Sequence, residues 1–325
     1  MRRWLVTLDE VADADRLRRA LLRVCRGKRQ RAEIRAWLAD APARLDALGQ
    51  AIRTGTLLLG RSRRHQIQDP KPRIIHAPAV AERILHQALD ELIAPVFDRA
   101  QVAWSCAGRP GLGLSRALAI ARRQTRAGRW HLHLDIRQYF ASIPHVGLHR
   151  LIERRLVGDE VLNLLWRIID AHHDAPGRGL PIGTLVSQTL ANAYLADSDR
   201  LLDQQPLRGR LRYMDDYVLW ADDPATLVAA RTALIPQLAD RGLQLKHLAQ
   251  PQPCSQGLSV LGWTIRPTGM HLRRSARRRQ RRARAQIASE QHSGRLTEAA
   301  AARRLQALAA WADPAHHLPD RKEHP

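Results

Sequence analysis

The tightest constraint on this chain is a pair of adjacent acids, Asp215 and Asp216, set between two short β-prone runs within residues 211–220. This pattern predicts a hairpin that carries acid at its tip. Upstream, apolar and polar residues alternate over residues 130–136 with the period of a half-buried strand, and Asp135 lies at the end of that run. We therefore expect a fold with a strand and a hairpin that both end in carboxylates.

Two interpretations of these acids are open at this point. Asp is common in turns, so Asp215 and Asp216 alone would be typical of a solvated turn. If they converge with Asp135, their charges repel, and a divalent cation such as Mg²⁺ is the usual means of neutralising them. Carboxylates that hold two metal ions suit phosphoryl transfer, because one ion activates the attacking hydroxyl and the other holds the leaving pyrophosphate. The second interpretation predicts nucleotidyl transfer.

Two stretches resemble the sequence boxes of a known enzyme family. Tyr-Met-Asp-Asp at residues 213–216 resembles the YxDD box of reverse transcriptases, and residues 134–143 resemble the first catalytic box of the bacterial members. The resemblance implies an RNA-directed DNA polymerase that uses two Mg²⁺ ions. It makes Asp135 and Asp215 direct metal ligands and Asp216 a neighbouring acid.

The same resemblance gives roles to two further groups near the acids. It implies that the Ile136 carbonyl completes the metal shell. Lys246 lies in a stretch, residues 242–246, for which the residue pattern predicts a turn and a strand. In polymerases a lysine near this place can protonate the leaving pyrophosphate, so Lys246 is a candidate general acid.

The predicted nucleotide site begins in a basic, β-prone region over residues 57–75, where we expect two strands and a turn. By resemblance to the fingers of bacterial reverse transcriptases, Arg73 meets the incoming triphosphate, with Lys71 as the alternative. Phe140 sits where reverse transcriptases place the aromatic steric gate that excludes a 2′-hydroxyl. Its neighbour Tyr139 stays open as the alternative, because adjacent residues on a strand cannot both point inward.

Residues 179–188 form an entry containing Gly and Pro that opens a helix, where backbone amides suit a phosphate or sugar oxygen. Ile182 and Gln188 are the candidate nucleotide-binding residues here. Group II intron and retroviral enzymes usually read Pro-Gln-Gly, whereas Ile182-Gly183 followed by Ser187-Gln188 is similar to the reverse transcriptases of diversity-generating retroelements. That similarity implies error-prone copying of a template RNA at adenines and a small basic accessory protein as partner.

The charge balance predicts a polyanionic partner. Lys and Arg total 53 and Asp and Glu total 31, which gives a formal net charge of +22. A GC-rich genome can explain Arg in place of Lys but not the excess of base over acid. Arg fills eight of the twelve positions in residues 273–284, on all sides of any helix, which is typical of nucleic-acid binding. The candidate contacts are Arg273, Arg274, Arg277, Arg278 and Arg281.

Two other basic regions have open interpretations. Arg109 lies in a loop rich in Gly and Pro, which either contacts the template or is simply structural. The basic residues between 13 and 49 predict a pair of amphipathic helices, which either contact RNA or present a solvated face.

We expect an α+β fold of the right-hand polymerase type, with fingers, a palm built on a small antiparallel sheet backed by helices, and a short helical thumb. The predicted domains are an N-terminal basic helical segment at 1–56, fingers at 57–130, a palm at 131–268 with a finger insertion at about 141–180, and a basic helical thumb and tail at 269–325.

The remaining predictions concern the cellular location of the protein and its rival functions. Three cysteines, Cys25, Cys106 and Cys254, are widely separated and fit neither a disulfide framework nor a zinc site. The chain has no run of ~18 apolar residues. We therefore expect a cytoplasmic protein without membrane association. The rival functions are another bacterial reverse transcriptase, defence-associated or intron-derived, and a non-catalytic RNA-binding scaffold.

Overall fold

The computed structural model describes residues 3–60, 62–68, 72–171, 175–313 and 317, and the side chains of these residues outside 62–76. The chain forms two compact units, each assembled from separate stretches. Unit 1 comprises Met1–Val102, Arg137–Asp199 and Gln237–Gln244, and unit 2 comprises Ala103–Ile136, Arg200–Pro236 and Leu245–Pro325. The assignment of fingers, palm and thumb boundaries stays a prediction.

The strands are β1 Trp4–Leu5, β2 Ser62–Gln68, β3 Pro72–Pro78, β4 Trp130–Asp135, β5 Leu156–Val157, β6 Gly209–Tyr213, β7 Asp216–Ala221, β8 Gln252–Pro253, β9 Leu258–Val260, β10 Trp263–Arg266 and β11 Gly269–Leu272. The helices are α1 Leu8–Val11, α2 Ala14–Cys25, α3 Ala32–Ala39, α4 Ala41–Arg53, α5 Val80–Asp98, α6 Leu114–Ala127, α7 Tyr139–Ser142, α8 His145–Glu153, α9 Asp159–Asp170, α10 Leu185–Tyr194, α11 Ala196–Asp203, α12 Pro224–Ala239, α13 Arg274–His292 and α14 Glu298–Ala312. Within the described residues, none of these helices combines the length and apolar character that a membrane span requires.

Helix α5 is the centre of unit 1, and both α2 and α10 pack against it. On α2, the buried residues Leu17, Leu21 and Val24 follow the spacing that places apolar side chains on one helical face. On α5, Leu85 and Leu89 are fully buried. Three of the four α2 arginines, Arg16, Arg19 and Arg23, form ion pairs with Glu91 of α5 beside this apolar face.

The N-terminal region departs from the predicted helix pair, because it contains three helices after residue 13: α2, α3 and α4. A turn follows α2, in which Gly27 takes a φ of +69° that suits glycine. Asp40 interrupts the helical path between α3 and α4 with φ −139° and ψ 47°. Pro42 lies in the first turn of α4, where its missing amide breaks no hydrogen bond.

The two strands predicted for residues 57–75 are confirmed. Strands β2 and β3 pair antiparallel with a register that runs from Ser62↔Pro78 to Gln68↔Pro72. This hairpin is the two-strand region predicted within residues 57–75.

Unit 2 is built on two antiparallel sheets. The larger has the strand order β6-β7-β4-β8, and the smaller has the order β11-β10-β9. Helix α6 packs against β6, β7 and β10, and the indoles of Trp220 and Trp263 are completely buried in the same core. The structure confirms the predicted α+β class with a small antiparallel sheet backed by helices.

Two local predictions are wrong at the place where the chain leaves β4. Residues 242–246 form no strand, and Leu245 makes only an isolated antiparallel bridge with Ile136. The pairing does not extend because Gln138, with φ +45°, turns the partner segment out of an extended conformation. Tyr139 and Phe140 consequently lie on the short helix α7 and not on a strand.

Candidate active site

Strands β4 and β7 bring the predicted acids to one corner of unit 2. The two strands pair antiparallel with Asp135 directly opposite Asp216. Strands β6 and β7 form the predicted hairpin, in which Tyr213 pairs with Asp216 and the two-residue turn is Met214-Asp215. Short hairpin loops of this kind hold the flanking residues in a fixed register. Acids distant in sequence therefore become neighbours in the sheet.

Backbone hydrogen bonds connect the remaining predicted groups to this corner. The amide of Ile136 donates to the carbonyl of Asp215 at 3.4 Å, so the end of β4 is joined to the hairpin turn. The amide of Lys246 donates to the carbonyl of Asp135 at 2.8 Å. Thus the three predicted acids, Ile136 and the predicted general acid Lys246 lie within one local arrangement.

The side chain of Lys246 reaches the first acid directly. Its Nζ atom forms an ion pair with Oδ2 of Asp135, and both side chains are about one-third exposed. A partly exposed ion pair contributes little to stability, since solvent screens it. The contact matters for position, since it holds the ammonium group of Lys246 beside the carboxylate of Asp135.

The second acid also has a basic neighbour, which the sequence analysis missed. Nε2 of His133 lies 3.1 Å from Oδ1 of Asp216. A signal was available, because alternation along β4 places His133 and Asp135 on the same face of the strand. His131, two residues earlier on the same face, is buried, and burial lowers its pKa to about 4, so that ring is neutral at neutral pH.

Arg212 is the second residue that the sequence analysis missed. It is completely buried on β6, and its Nη1 donates to the carbonyl of Met214 at 3.0 Å. Met214 has a φ of +60°, which is uncommon for a residue other than glycine. Arg212 therefore supports the turn conformation that presents Asp215. No sequence signal indicates this role, because a charged residue is expected at the surface.

Burial also affects the pKa of Tyr213, the last residue of β6. The pKa of Tyr213 is raised, mainly because burial disfavours the charged phenolate. The phenol therefore stays protonated at neutral pH and adds no negative charge beside the acids.

The donor groups of this corner suit Mg²⁺, which prefers carboxylate and carbonyl oxygens. Asp135, Asp215 and the Ile136 carbonyl are the candidate ligands, with Asp216 adjacent. Among the described residues, no three Asp, Glu, His or Cys side chains are grouped at metal-binding spacing. Instead, Nζ of Lys246 pairs with Asp135, and the imidazole of His133 contacts Asp216.

The predicted nucleotide-binding residues with described side chains belong to unit 1. Phe140 is half-buried on α7, whereas Tyr139 is buried and its hydroxyl donates to the carbonyl of Ala191 at 2.5 Å. Ile182 is half-buried in the loop before α10. The amide of Leu180, two residues earlier, donates to the carbonyl of Phe140 at 2.9 Å. A backbone hydrogen bond therefore joins Phe140 to the loop that carries Ile182.

Gln188 lies on the first turn of α10, after the N-cap Thr184, whose side chain accepts a hydrogen bond from the amide of Ser187. It lines a basic cavity that the sequence analysis did not predict, because its walls come from distant helices. The other charged or polar side chains of this cavity are Arg23, Lys28, Arg83, His86, Gln87 and Thr184.

The remaining predicted contacts are spread over both units. Arg73 pairs with Ile67 in the β2–β3 hairpin, and Lys71 lies outside the described residues. The guanidinium of Arg109 donates to the carbonyl of Ser105 at 2.7 Å within its own loop. Arg273 is the N-cap of α13, which the structure confirms as a helix with exposed arginines. The exposed set comprises Arg273, Arg274, Arg277, Arg278 and Arg281.

Two known proteins resemble part of this chain. The chain is 29% identical to Protein YkfC of Escherichia coli over 154 residues, which cover 44% of this chain and 40% of YkfC. It is 25% identical to the group II intron-encoded protein LtrA of Lactococcus lactis subsp. cremoris over 172 residues, which cover 49% of this chain and 28% of LtrA. The matches thus span less than half the length of these relatives.

A solved structure supports the fold. The apo telomerase of Candida tropicalis truncated from its C-terminal domain superposes with a TM-score of 0.52 at 12% identity, covering 67% of this chain and 55% of that one. Residues 67–264, more than half of the chain, match the reverse transcriptase (RNA-dependent DNA polymerase) family. The match confirms the resemblance found in the sequence, and the chain belongs to the reverse transcriptase family.

Proposed function

We propose that this chain synthesises DNA on an RNA template. The observation that carries the proposal is the register of β4 and β7, which sets Asp135 opposite Asp216 and beside the turn residue Asp215. Two Mg²⁺ ions held by these acids and the Ile136 carbonyl would stabilise the charge that develops during phosphoryl transfer. The substrates are a template RNA, a primer and deoxynucleoside triphosphates.

The protein groups around the acids have distinct proposed tasks. Lys246, held beside Asp135 by its ion pair, donates a proton to the leaving pyrophosphate. His133 orients the carboxylate of Asp216 through its Nε2 contact. Arg212 keeps the turn in the conformation that presents Asp215. Each task follows from a contact within unit 2.

Unit 1 supplies the proposed nucleotide selection. Phe140 excludes the 2′-hydroxyl of a ribonucleotide, and Ile182 and Gln188 contact the incoming nucleotide. Arg73 and Lys71 bind its triphosphate. Nucleic acid is held by Arg109 and by the exposed arginines of α13, which provide phosphate contacts without sequence preference.

Primer extension on a defined RNA tests the proposal. Asp215→Asn should lower the rate more than tenfold, a barrier increase of more than about 1.4 kcal/mol. Its RNA affinity should stay near that of the wild type, because binding comes from the arginine surface. Asp222→Asn, a change to an exposed acid paired with Arg208, is the matched control and should stay active. Extension by Asp215→Asn within tenfold of the wild type would contradict the assignment of the acids.

For the biological role, we propose a diversity-generating retroelement enzyme that makes errors at template adenines and works with a small basic accessory protein. The support is the sequence Ile182-Gly183 followed by Ser187-Gln188. A Gln at position 182 could hydrogen-bond the incoming sugar and hold a mismatched pair in poor geometry, whereas Ile offers only apolar contact. One such hydrogen bond is worth about 0.5–1.5 kcal/mol, or about 2- to 13-fold in rate.

The Ile182→Gln variant tests this role through sequencing of the cDNA made on one template. Adenine errors should fall by about 2- to 13-fold while polymerisation continues. An equal error frequency in the active variant would place the source of infidelity elsewhere. Low adenine error in the wild type, assayed with its partner, would overturn the retroelement assignment.

The similarity to LtrA favours a second candidate, a reverse transcriptase related to those of group II introns. The neighbouring DNA separates the two candidates. A template repeat and variable repeat with a small accessory gene beside this one would support the retroelement, whereas flanking intron sequence would support the second candidate.

A further inference from the structure

His145 occupies an unusual electrostatic position in unit 1. It is the first residue of α8 and only 5% exposed. Its Nδ1 atom lies 2.8 Å from Oδ1 of Asp170, the last residue of α9. A cation at a helix N-terminus and an anion at a helix C-terminus are both unfavourable to the helix dipoles. The pair is therefore not explained by stabilisation of either helix.

The other ring nitrogen of His145 makes the contact that explains its place. Nε2 lies 2.8 Å from the carbonyl oxygen of Gly179, which is itself buried. Both neighbours of the ring are acceptors, and a neutral imidazole has only one N–H to donate. The contact between Nδ1 and Asp170 fixes the orientation of the ring, and this orientation aims Nε2 at the Gly179 carbonyl.

Gly179 belongs to a backbone ladder that joins two short segments. Residues 140–145 and 177–180 are connected by hydrogen bonds from His145 N to Gly177 O at 2.8 Å, from Gly179 N to Ile143 O at 3.0 Å, and from Leu180 N to Phe140 O at 2.9 Å, and by a bridge between Pro144 and Arg178. Phe140 lies at one end of this ladder. Leu180 pairs with Phe140 at that end, and Ile182 follows two residues beyond Leu180. The ladder therefore sets the spacing between these two residues.

Gly179 is the point in this ladder that most needs an external contact. Its φ of +104° lies in a region that only glycine adopts readily, and glycine has the largest backbone freedom to lose. It has no side chain through which neighbours could hold it. Its carbonyl oxygen can accept a hydrogen bond, and Nε2 of His145 donates to that oxygen.

We propose that His145 is a positioning residue for nucleotide selection, acting through the carbonyl of Gly179 to fix Phe140 relative to Ile182. This inference rests on the proposed function of those two residues. Loss of the contact should loosen the site for the incoming nucleotide. It should therefore raise KM for deoxynucleotides and reduce discrimination against ribonucleotides, while kcat stays nearly unchanged, because the acids in unit 2 are untouched.

Two substitutions of similar polarity separate the two contacts of the ring. In His145→Gln the side-chain amide nitrogen reaches the place of Nε2 and can still donate to Gly179. In His145→Asn the shorter side chain reaches only the place of Nδ1, beside Asp170. His145→Phe removes both contacts and keeps a ring. His149→Phe is the matched control. His149 lies on the same helix, but its ring packs against Trp166, with the two ring centroids 5.2 Å apart.

Steady-state primer extension with deoxynucleotides and ribonucleotides measures the effect. We expect His145→Asn and His145→Phe to raise KM and to lower the discrimination ratio by about 2- to 13-fold each, the value of one hydrogen bond. His145→Gln and His149→Phe should stay within twofold of the wild type, a margin of about 0.4 kcal/mol. Rescue by Gln but not by Asn is the result that a role in general packing does not produce.

Hydrogen exchange supplies a readout that does not depend on catalysis. The amides of Gly179 and Leu180, both donors in the ladder, should exchange faster in His145→Asn than in His145→Gln. Equal KM, discrimination and exchange in the Asn and Gln variants would overturn the role of His145. A fall in kcat alone, or unfolding of both the Asn and Phe variants, would overturn it equally. Absence of DNA synthesis by the folded wild type would instead overturn the proposed function, and the nucleotide-selection role with it.

Discussion

At the scale of single residues, burial distinguishes the two candidates for the steric gate. Tyr139 is 2% exposed and its hydroxyl is bonded to the carbonyl of Ala191, so it is committed to the core of unit 1. Phe140 is half-buried, and the two rings meet edge to face with centroids 5.7 Å apart. The exposed part of Phe140 is the surface available to a nucleotide sugar. The structure thus favours Phe140 over its neighbour.

Phe140→Ala should therefore admit ribonucleotides. The bulk of the ring, and no hydrogen bond, is proposed to reject the 2′-hydroxyl, so discrimination should fall by at least about tenfold, or about 1.4 kcal/mol. Single-nucleotide incorporation with deoxy- and ribonucleotides measures this ratio. Tyr139→Phe, which removes only the hydroxyl, should leave the ratio unchanged. Unaltered discrimination in an active Phe140→Ala enzyme would point to Tyr139 as the gate.

At the scale of elements, α13 presents arginine on nearly every exposed position up to Arg284, while Ala276 and Ile287 are buried. Arg279 lies over the ring of Trp311 at 5.5 Å, so it is partly engaged within unit 2. The five other arginines proposed as phosphate contacts are Arg273, Arg274, Arg277, Arg278 and Arg281. Their exposure suits contacts with a phosphate backbone.

Replacing these five arginines by Gln should weaken RNA binding and flatten its dependence on salt. Each lost phosphate contact removes up to about 0.7 to 0.9 from the slope of log K against log salt. Titrations at several salt concentrations measure the slope, and circular dichroism checks that α13 persists, since Arg and Gln have similar helix propensities. The same five positions changed to Lys keep the charge and should keep the slope. An unchanged slope in the Gln variant would assign α13 to a protein partner.

Elements with a strong local pattern were predictable from the sequence. The alternation in residues 130–136 and the runs around Asp215 predicted β4 and the β6–β7 hairpin, because the side-chain period of a strand is two. Residues 242–246 carry a similar pattern, yet Leu245 makes only one bridge, because the segment that follows Ile136 turns away. A local pattern indicates that a segment can form a strand. Whether it does so depends on an extended neighbouring segment with which it can pair.

The contacts that support the site were less predictable than the acids themselves. His133 could have been found from its shared face with Asp135, but its reach to Asp216 depends on the register of β7. The burial of Arg212 and the two contacts of His145 depend on tertiary packing. Sequence spacing therefore identified candidate ligands better than it identified the groups that orient them.

At the scale of the whole molecule, each unit is assembled from stretches that are distant in sequence. In unit 1, α5 and α10 come from different stretches and pack directly together. Their contact includes a hydrogen bond of 2.5 Å from the hydroxyl of Thr189 to Oδ1 of Asp90. Asp90 is half-buried in this packing, and burial is the main cause that raises its pKa from 3.8 to about 6. A single side chain at this contact therefore links global stability to pH.

The direction of that link follows from proton binding. Because the folded state has the higher pKa, it binds more protons than the unfolded state between pH 3.8 and about 6. Stability should therefore fall as pH rises through this window and then level off. The difference of about two pKa units corresponds to about 3 kcal/mol at most, since one unit is worth about 1.4 kcal/mol. The cost is the burial of an ionised carboxylate at neutral pH.

Asp90→Asn removes this cost and keeps an oxygen that can accept from Thr189. The variant should match the wild type near pH 4 and exceed its free energy of unfolding at pH 7.5 by up to about 3 kcal/mol. Urea denaturation at both pH values measures the difference. Asp46→Asn, at an exposed position on α4, should show no such gain. If the gain of Asp90→Asn is the same at both pH values, its origin is packing, and the carboxylate of Asp90 is not the group that links stability to pH.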